Sequence, residues 1–287
     1  MAEEKRLDEA TGQTTVGHSY DGIEELNTPL PRWWLWTFYA TIVWGIGYTI
    51  AFPAWPLISG ATQGLLGYST RGEVAEQIEV HEAQNAALVE QLVSADLSTL
   101  LPTDDIHRYG TARGASVFRA QCSQCHGSGA AGGIGYPNLL DNDWLWGGNL
   151  EQIAYTVRHG IRNDTDFDAH WSEMPAYGRD EILPDADIEV IADFVLALPD
   201  SLNEMGAGRQ IWFDHCAACH GDNALGDPSI GAPNLADAIW LYGGDRDTVI
   251  ETIHNARFGV MPAWGQRLSE ADVRAVSIYV HSLGGGE

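Results

Sequence analysis

The hydrophobic and polar positions divide the first third of the chain into contrasting stretches. Residues 1–31 are polar, mostly acidic and without a hydrophobic period, and Pro29 and Pro31 stop regular structure near their end, so we predict a tail. Residues 33–55 carry no charge, are long enough to span a bilayer as a helix, and have tryptophans at both ends like an aromatic belt. We predict a transmembrane anchor over residues 32–57. The alternatives are a buried core helix and a cleaved signal peptide, which would need a basic start and a small-residue cleavage site.

A connector follows over residues 58–104. Its first part, up to residue 70, is uncharged and rich in glycine and serine, whereas residues 71–93 place apolar side chains at helical spacing and glutamates elsewhere on the helix. This pattern predicts one amphipathic helix. Its apolar positions are Val74, Ile78, Leu88 and Leu92.

From about residue 105 the chain is a tandem repeat with a period near ninety, which predicts one domain over residues 105–200 and a second over residues 201–287. Each copy opens with a glycine four residues before an aromatic side chain and ends with an amphipathic helix. Glycine at that spacing lets another helix cross closely, so we expect the two helices of each copy to cross. The opening residues are Gly114 and Phe118, then Gly208 and Trp212; the closing helices are 187–195 and 272–280.

The charge balance narrows the choice of partners. The chain has 40 acidic and 15 basic residues, a net charge of -25, and a single lysine, Lys5. Such a balance argues against nucleic acid and favours a cationic partner.

The motif Cys-x-x-Cys-His occurs twice and uses all four cysteines. It is the attachment site of c-type haem, in which each thiol forms a thioether and the histidine becomes the proximal iron ligand. We therefore predict two covalently bound haem c groups; a redox dithiol and half a zinc site are the alternatives. The residues are Cys122, Cys125 and His126 in the first copy and Cys216, Cys219 and His220 in the second.

Two methionines are the best candidates for the sixth iron ligand. Met174 and Met261 each begin a Met-Pro-Ala-aromatic-Gly phrase at a matching place in the repeat, while Met205 has no counterpart. A thioether sulfur opposite a histidine stabilises ferrous haem. We assign Met174 to the iron of His126 and Met261 to the iron of His220; the alternative is that both only fill the core.

Other histidines are available as distal ligands, but none recurs at the same place in both copies. His170, four residues before Met174, is the best competitor. The complete set is His159, His170, His215, His254 and His281.

Residues around the haems also follow the repeat. Pro137 and Pro233 lie where a backbone carbonyl accepts from the second nitrogen of the haem imidazole. Arg158, Arg162 and Arg257 are candidates to pair with haem propionates, against the alternative of ordinary surface arginines.

The phrase over residues 17–34, the tryptophan-rich span after it and Gly67-Tyr68-Ser69 resemble the dihaem CcoP/FixP subunit of cbb3-type cytochrome c oxidase. The resemblance covers essentially the whole chain. It implies an all-α protein with one N-terminal transmembrane helix followed by two tandem class I cytochrome c domains. It also implies a haem-copper catalytic subunit and a monohaem cytochrome c subunit as partners.

The expected location follows from the cofactor. Covalent haem attachment takes place outside the bacterial cytoplasmic membrane, so we expect a single-pass inner-membrane protein with a cytoplasmic N-terminus and periplasmic haem domains. Some members of the family have an additional transmembrane helix before this one; here we expect the single-anchor form.

The expected role is electron relay from a soluble cytochrome c to the subunits that reduce oxygen, with no oxygen chemistry on this chain. One alternative is a membrane-anchored dihaem carrier of another respiratory complex, such as a dehydrogenase. A dihaem peroxidase or gas sensor is a third hypothesis, and it would need an open iron position that Met174 and Met261 argue against.

Overall fold

The computed structural model describes residues 5–203 and 205–286, in an N-terminal region up to Gln84 and a C-terminal region from Asn85. The helices are α1 (Arg32–Ala51), α2 (Thr70–Ser94), α3 (Asp105–Val117), α4 (Ser123–His126), α5 (Leu150–His159), α6 (Asp185–Leu196), α7 (Ala207–Ile211), α8 (Ala217–His220), α9 (Arg246–Asn255) and α10 (Glu270–His281). The strands are β1 (Thr15–Tyr20), β2 (Ile23–Leu26), β3 (Pro56–Leu57) and β4 (Gly60–Ala61).

The predicted N-terminal tail contains a β-hairpin. Strands β1 and β2 pair antiparallel across Asp21 and Gly22, whose φ angles of 51° and 82° suit the tight turn that Asp-Gly favours. An irregular register between Thr15 and Ser19 disturbs the alternation that marks a strand. The prediction of a tail was therefore wrong for this stretch. The fold is mostly helical with two small β-hairpins, and not all-α as predicted. Residues 1–4 lie outside the described residues.

Helix α1 occupies most of the predicted anchor, and none of its side chains is buried. Among residues 5–203 and 205–286, however, no helix combines the length and apolarity needed to cross a bilayer. The predicted transmembrane helix over residues 32–57 is therefore not confirmed. The helix ends at Ala51 because Phe52 precedes a proline and takes an extended conformation. Its tryptophan, tyrosine, threonine and glycine residues also lower its mean hydropathy.

The predicted connector helix is present as α2. Of the predicted apolar stripe, Leu92 is fully buried, whereas Val74 and Ile78 are exposed. Arg274 of α10 donates to the carbonyl oxygens of Leu92 (3.1 Å) and Ala95 (2.6 Å), which satisfies carbonyls left open at the helix end. The last turn of α2 thus belongs to the core of the C-terminal region.

The helix crossings predicted within each copy of the repeat instead join the two copies. Helix α3, which opens the first copy, packs against α10 at the end of the second, and α6 packs against α7 and α9. A side chain at Gly114 would strike the backbone of Ala275, and one at Gly208 would lie 2.9 Å from Cβ of Phe194. We call α3, α4, α5 and α10 the first unit, and α6, α7, α8 and α9 the second unit.

The short connection between α6 and α7 explains this exchange. Ten residues separate the end of α6 at Leu196 from the start of α7 at Ala207, so the two helices can pack as neighbours with a small loop-closure cost. Because the copies carry equivalent apolar faces, the closing helix of either copy fits either opening helix. The hydrophobic pattern identifies the faces that pack but not the copy that supplies each one.

Candidate haem-binding sites

Each Cys-x-x-Cys-His motif begins on a π-helical turn and ends on a four-residue helix. The turn Phe118–Cys122 leads into α4 and the turn Trp212–Cys216 into α8, and the aromatic side chain that opens each turn is fully buried. A glycine with positive φ, 79° or 81°, ends each short helix. The backbone of the two motifs is therefore the same, and it is fixed by a buried ring on one side and a glycine on the other.

The environment of the thiols separates the three interpretations of the cysteine pairs. Burial raises the pKa of Cys122 to about 11 and that of Cys216 to about 12, whereas a redox dithiol depends on a lowered thiol pKa. Within the described part of the chain, no cluster of three potential metal ligands includes any of these cysteines, although a structural zinc site needs four. The pairs are suited to thioether attachment.

Both motif histidines are oriented as predicted. Nδ1 of His126 lies 3.1 Å from the carbonyl oxygen of Pro137, and Nδ1 of His220 lies 3.1 Å from that of Pro233. The tautomer that donates from Nδ1 leaves Nε2 as the ligating nitrogen. Burial lowers the pKa of both imidazoles, which keeps them neutral and able to bind a metal.

The two methionines exchange units relative to the prediction. Met261 packs against the apolar core of the first unit, beside Cys122, and its backbone N and O pair with O and N of Ile161 at 3.0 Å each. Met174 packs against the core of the second unit, beside Cys216. Each Met-Pro phrase lies on the loop before a closing helix and packs, like that helix, in the other unit. The structure thus places Met261, rather than Met174, with the core that includes Cys122, and Met174 with the core that includes Cys216.

A cavity of about 610 Å³ opens beside the second motif, with walls drawn from both repeats, and its size and mainly apolar walls suit a cofactor. Its lining includes Cys216, Cys219, His220 and Met174. The indole Nε1 of Trp212, which also lines the cavity, is buried and has no hydrogen-bond partner among the described residues. An orphaned buried donor is costly, so this nitrogen fits a group that brings an acceptor into the cavity. These features fit a haem with its carboxylate side chains.

Two of the three predicted propionate arginines face this cavity. Arg162 donates to the carbonyl oxygens of Gly259 (2.8 Å) and Ser172 (2.9 Å), and burial lowers its pKa. Arg257 donates to Thr252 Oγ1 and lies over the ring of Tyr242. Neither guanidinium has a carboxylate partner among the described residues, so both retain charge for an anionic group.

The third arginine has another role. Arg158 forms an ion pair with Glu270 of α10, with Nη2 2.6 Å from the carboxylate, so the prediction for this residue was wrong. His170, the competing ligand, stacks on Trp146 with ring centroids 4.2 Å apart, and its Nε2 lies 3.1 Å from Thr156 Oγ1. Its ring is engaged within the first repeat.

One cavity residue escaped the sequence reasoning. Asp143 lines the cavity, and burial together with the nearby carboxylates of Asp237 and Asp141 raises its pKa to about 6. The available signal was the recurrence of an aspartate three positions after the asparagine of Pro-Asn-Leu, at Asp141 and Asp237. The recurring aspartate indicates that this segment of the repeat matters, but only the fold shows that the carboxylates of Asp141, Asp143 and Asp237 lie close together.

Two Cys-x-x-Cys-His motifs, two carbonyl-oriented imidazoles and two core methionines define a dihaem c-type cytochrome. Comparison with known proteins gives the family. Residues 12–59 match the N-terminal domain of cytochrome oxidase-cbb3, FixP, and residues 110–195 and 203–280 match cytochrome c oxidase, cbb3-type, subunit III. The chain belongs to the CcoP/FixP family of cbb3-type cytochrome c oxidase subunits.

Individual relatives agree over nearly their whole length. The chain is 56% identical to the cbb3-type cytochrome c oxidase subunit CcoP of Cereibacter sphaeroides over 276 residues, covering 95% of each chain. It is 51% identical to CcoP of Rhodobacter capsulatus, covering 95% of this chain and 96% of the relative, and 46% identical to FixP of Sinorhizobium medicae, covering 99% and 98%.

Proposed function

We propose that the chain is the dihaem electron-transfer subunit of a cbb3-type cytochrome c oxidase. Cys122 and Cys125 would hold the first haem, and His126 and Met261 would bind its iron. Cys216 and Cys219 would hold the second haem, and His220 and Met174 would bind its iron. When bound, the haems supply irons that change between the ferric and ferrous states by one electron. The observation that carries the proposal is that a proline carbonyl orients each motif histidine, and that the core beside each motif includes a methionine from the other copy.

The protein residues act by holding each iron in one coordination state. Pro137 and Pro233 fix the imidazole rings, and burial keeps the imidazoles neutral, so neither ligand has to move when the iron changes charge. Because a histidine and a methionine would both bind each iron, neither haem would offer an open position, and oxygen reduction would belong to another subunit. We assign it to a haem-copper subunit, with a monohaem cytochrome c subunit as the second partner in the complex.

The test is ligand binding by the purified, matured chain. We expect a methionine–iron charge-transfer band from both oxidised haems, and no carbon monoxide binding to the reduced chain. Rapid carbon monoxide binding at either haem would overturn the relay and favour a peroxidase or gas sensor. Purification from the native membrane distinguishes the oxidase from another respiratory complex, because only the oxidase assignment requires a haem-copper subunit to co-purify.

We further propose that α1 anchors the chain in the bacterial inner membrane, with the N-terminus in the cytoplasm and both haem units in the periplasm. The support is the uncharged stretch from Trp33 to Trp55, the finding that no α1 side chain is buried, and the need to attach haem outside the cytoplasm. Alkaline carbonate should leave the chain in the membrane, and protease added to spheroplasts should cleave the haem units but not the N-terminus. Release by carbonate would exclude an integral anchor.

A further inference from the structure

The segment over residues 163–173, which we call the aspartate loop, breaks the symmetry of the repeat. Fourteen residues separate the end of α5 at His159 from Met174, whereas five separate the end of α9 at Asn255 from Met261. Both connections lead to an iron-ligand methionine, so the five-residue connection shows how short a segment is enough to place that methionine. The additional residues of the first connection are free to serve another purpose.

The aspartate loop is held firmly against the first unit. Tyr155 donates from its hydroxyl to the carbonyl oxygen of Asp168 (2.8 Å), and His159 Nδ1 lies 3.2 Å from the Asp166 carboxylate. Gln266 donates to the carbonyl oxygen of Thr165 at 2.7 Å. A loop fixed by such contacts has already lost most of its conformational freedom, so a partner that binds it incurs little ordering cost.

This fixed loop presents aromatic side chains to solvent. Phe167 is completely exposed and Trp171 is 60% exposed. Three exposed acidic side chains surround them, and none forms an ion pair within the described part of the chain; they are Asp164, Asp168 and Glu173. Aromatic anchors within a charged rim are typical of the energetically dominant residues of protein interfaces.

The loop also reaches the haem cavity of the second unit. Arg162, which precedes the loop, and Ser172, Glu173 and Met174 at its end all line that cavity. A partner seated on Phe167 and Trp171 would therefore contact the same short segment that carries the iron-ligand methionine. This position suits electron entry more than a purely structural contact.

The charges decide the kind of partner. The loop surface is acidic in a chain whose net charge is -25, so it attracts cations and repels another copy of itself. We propose that the aspartate loop is the docking site of a soluble, lysine-rich electron-carrier protein that reduces the second haem. This inference depends on the proposed electron-transfer function.

The test uses the purified oxidase complex and a lysine-rich cytochrome c as the probe. Phe167→Ala should raise the KM and the Kd for the cytochrome about tenfold, the typical loss at an interface anchor, with kcat unchanged. Asp164→Asn with Asp168→Asn should slow oxidation of the cytochrome several-fold at low ionic strength and flatten its salt dependence. Oxygen reduction driven by a small uncharged reductant should not change.

The matched control is Glu181→Gln with Asp200→Asn, which removes the same charge from exposed acids that do not line the cavity. It should keep at least half of the native rate at low ionic strength. Phe167→Tyr should restore binding because it keeps the ring. If the loop variants keep the native KM and the native salt dependence, docking at this site is overturned. Docking is also overturned if the variant chain is lost from the purified complex, because the loop would then contact another subunit. Failure of the native complex to oxidise any cytochrome would instead count against the proposed function.

Discussion

The two units contain the same parts but are closed in different ways. The second unit is assembled from consecutive segments, Met174 to α9, and its clearest ion pair, Arg246 with Asp193, is exposed. The first unit joins α3 and α5 to α10 across the whole second unit. Its ion pairs, Arg113 with Asp272 (2.7 Å) and Arg158 with Glu270 (2.6 Å), link the distant segments and are more buried.

This difference shows that segments far apart in the sequence need stronger contacts to pack together than segments close in the sequence. The second unit closes a short loop, so apolar packing around Trp212 is sufficient to hold it. The first unit must bring residues more than 150 positions apart together, and there the crossing is closer: at Gly114 the α10 backbone itself occupies the space of a side chain, whereas at Gly208 the neighbour is the Phe194 side chain. The overlap at Gly114 is therefore the larger of the two, and neither the α10 backbone nor Cβ of Phe194 can move without its helix.

The closeness of the two crossings gives the largest expected effect. Gly114→Ala should destabilise the matured chain by about 2–3 kcal/mol, because a methyl group there forces α3 and α10 apart. Gly208→Ala should cost about 1 kcal/mol or less, because the added methyl group lies 2.9 Å from Cβ of Phe194, a smaller overlap than at Gly114, and alanine favours the helix. Thermal unfolding should place the first variant roughly 5–10 °C below the native midpoint.

The control for both glycines is Gly206→Ala, which adds a methyl group where no atom of the described residues lies within 4 Å. It should unfold within about 2 °C of the native protein. Equal losses at Gly114 and Gly208 would show that the two crossings are equally tight and that the contrast between the units is not energetic.

These glycines also show how much of the fold and of the haem sites the sequence predicts. The spacing of Gly114 and Phe118 identifies a closely crossed helix face, and the motifs identify the haem cysteines and histidines. The order of the copies does not identify the crossing partner, because α6 and α10 carry equivalent apolar faces and only the short connection before α7 selects between them. The carbonyl contact of Pro137 could be predicted because it depends on a local distance along the chain, whereas the methionine pairing depends on the exchange. The Asp21-Gly22 hairpin was predictable from its turn and was missed.

The exchange of methionines gives the next effect, a shift of reduction potential. Met174→His should lower the potential of the second haem by about 0.1 V or more, within the roughly 0.8 V that axial ligands control, and leave the first haem unchanged. Met261→His should do the opposite. The measurement is a spectroscopic redox titration of chains that keep one haem, with either Cys122 and Cys125 or Cys216 and Cys219 changed to alanine.

Met205→His is the matched control, because Met205 is 89% exposed and should leave both potentials unchanged. If the single-haem chains do not mature, the same substitutions in the intact chain still test the pairing. Met174→His or Met261→His should each shift one reduction potential, and the double variant should shift both. A shift of the first haem by Met174→His would restore the pairing within each copy and contradict the exchange.

Asp143 should give the smallest effect, and a larger one at the second haem, whose motif lines the same cavity. Its pKa, raised to about 6 by burial and by Asp237 and Asp141, means that it loses its proton as pH rises through about 6. The new negative charge stabilises the ferric iron more than the ferrous iron, so the potential of the second haem should fall across this range by tens of millivolts, on the order expected for a partly screened charge.

Potentials titrated between pH 4.5 and 7.5 (~3 pH units, enough to span one titration) measure the slope. Asp143→Asn should flatten it, while Asp105→Asn, an exposed aspartate of α3, should leave it intact. An equal slope at the first haem would mean that the carboxylates influence both irons, and the two units would then differ in closure but not in their electrostatics.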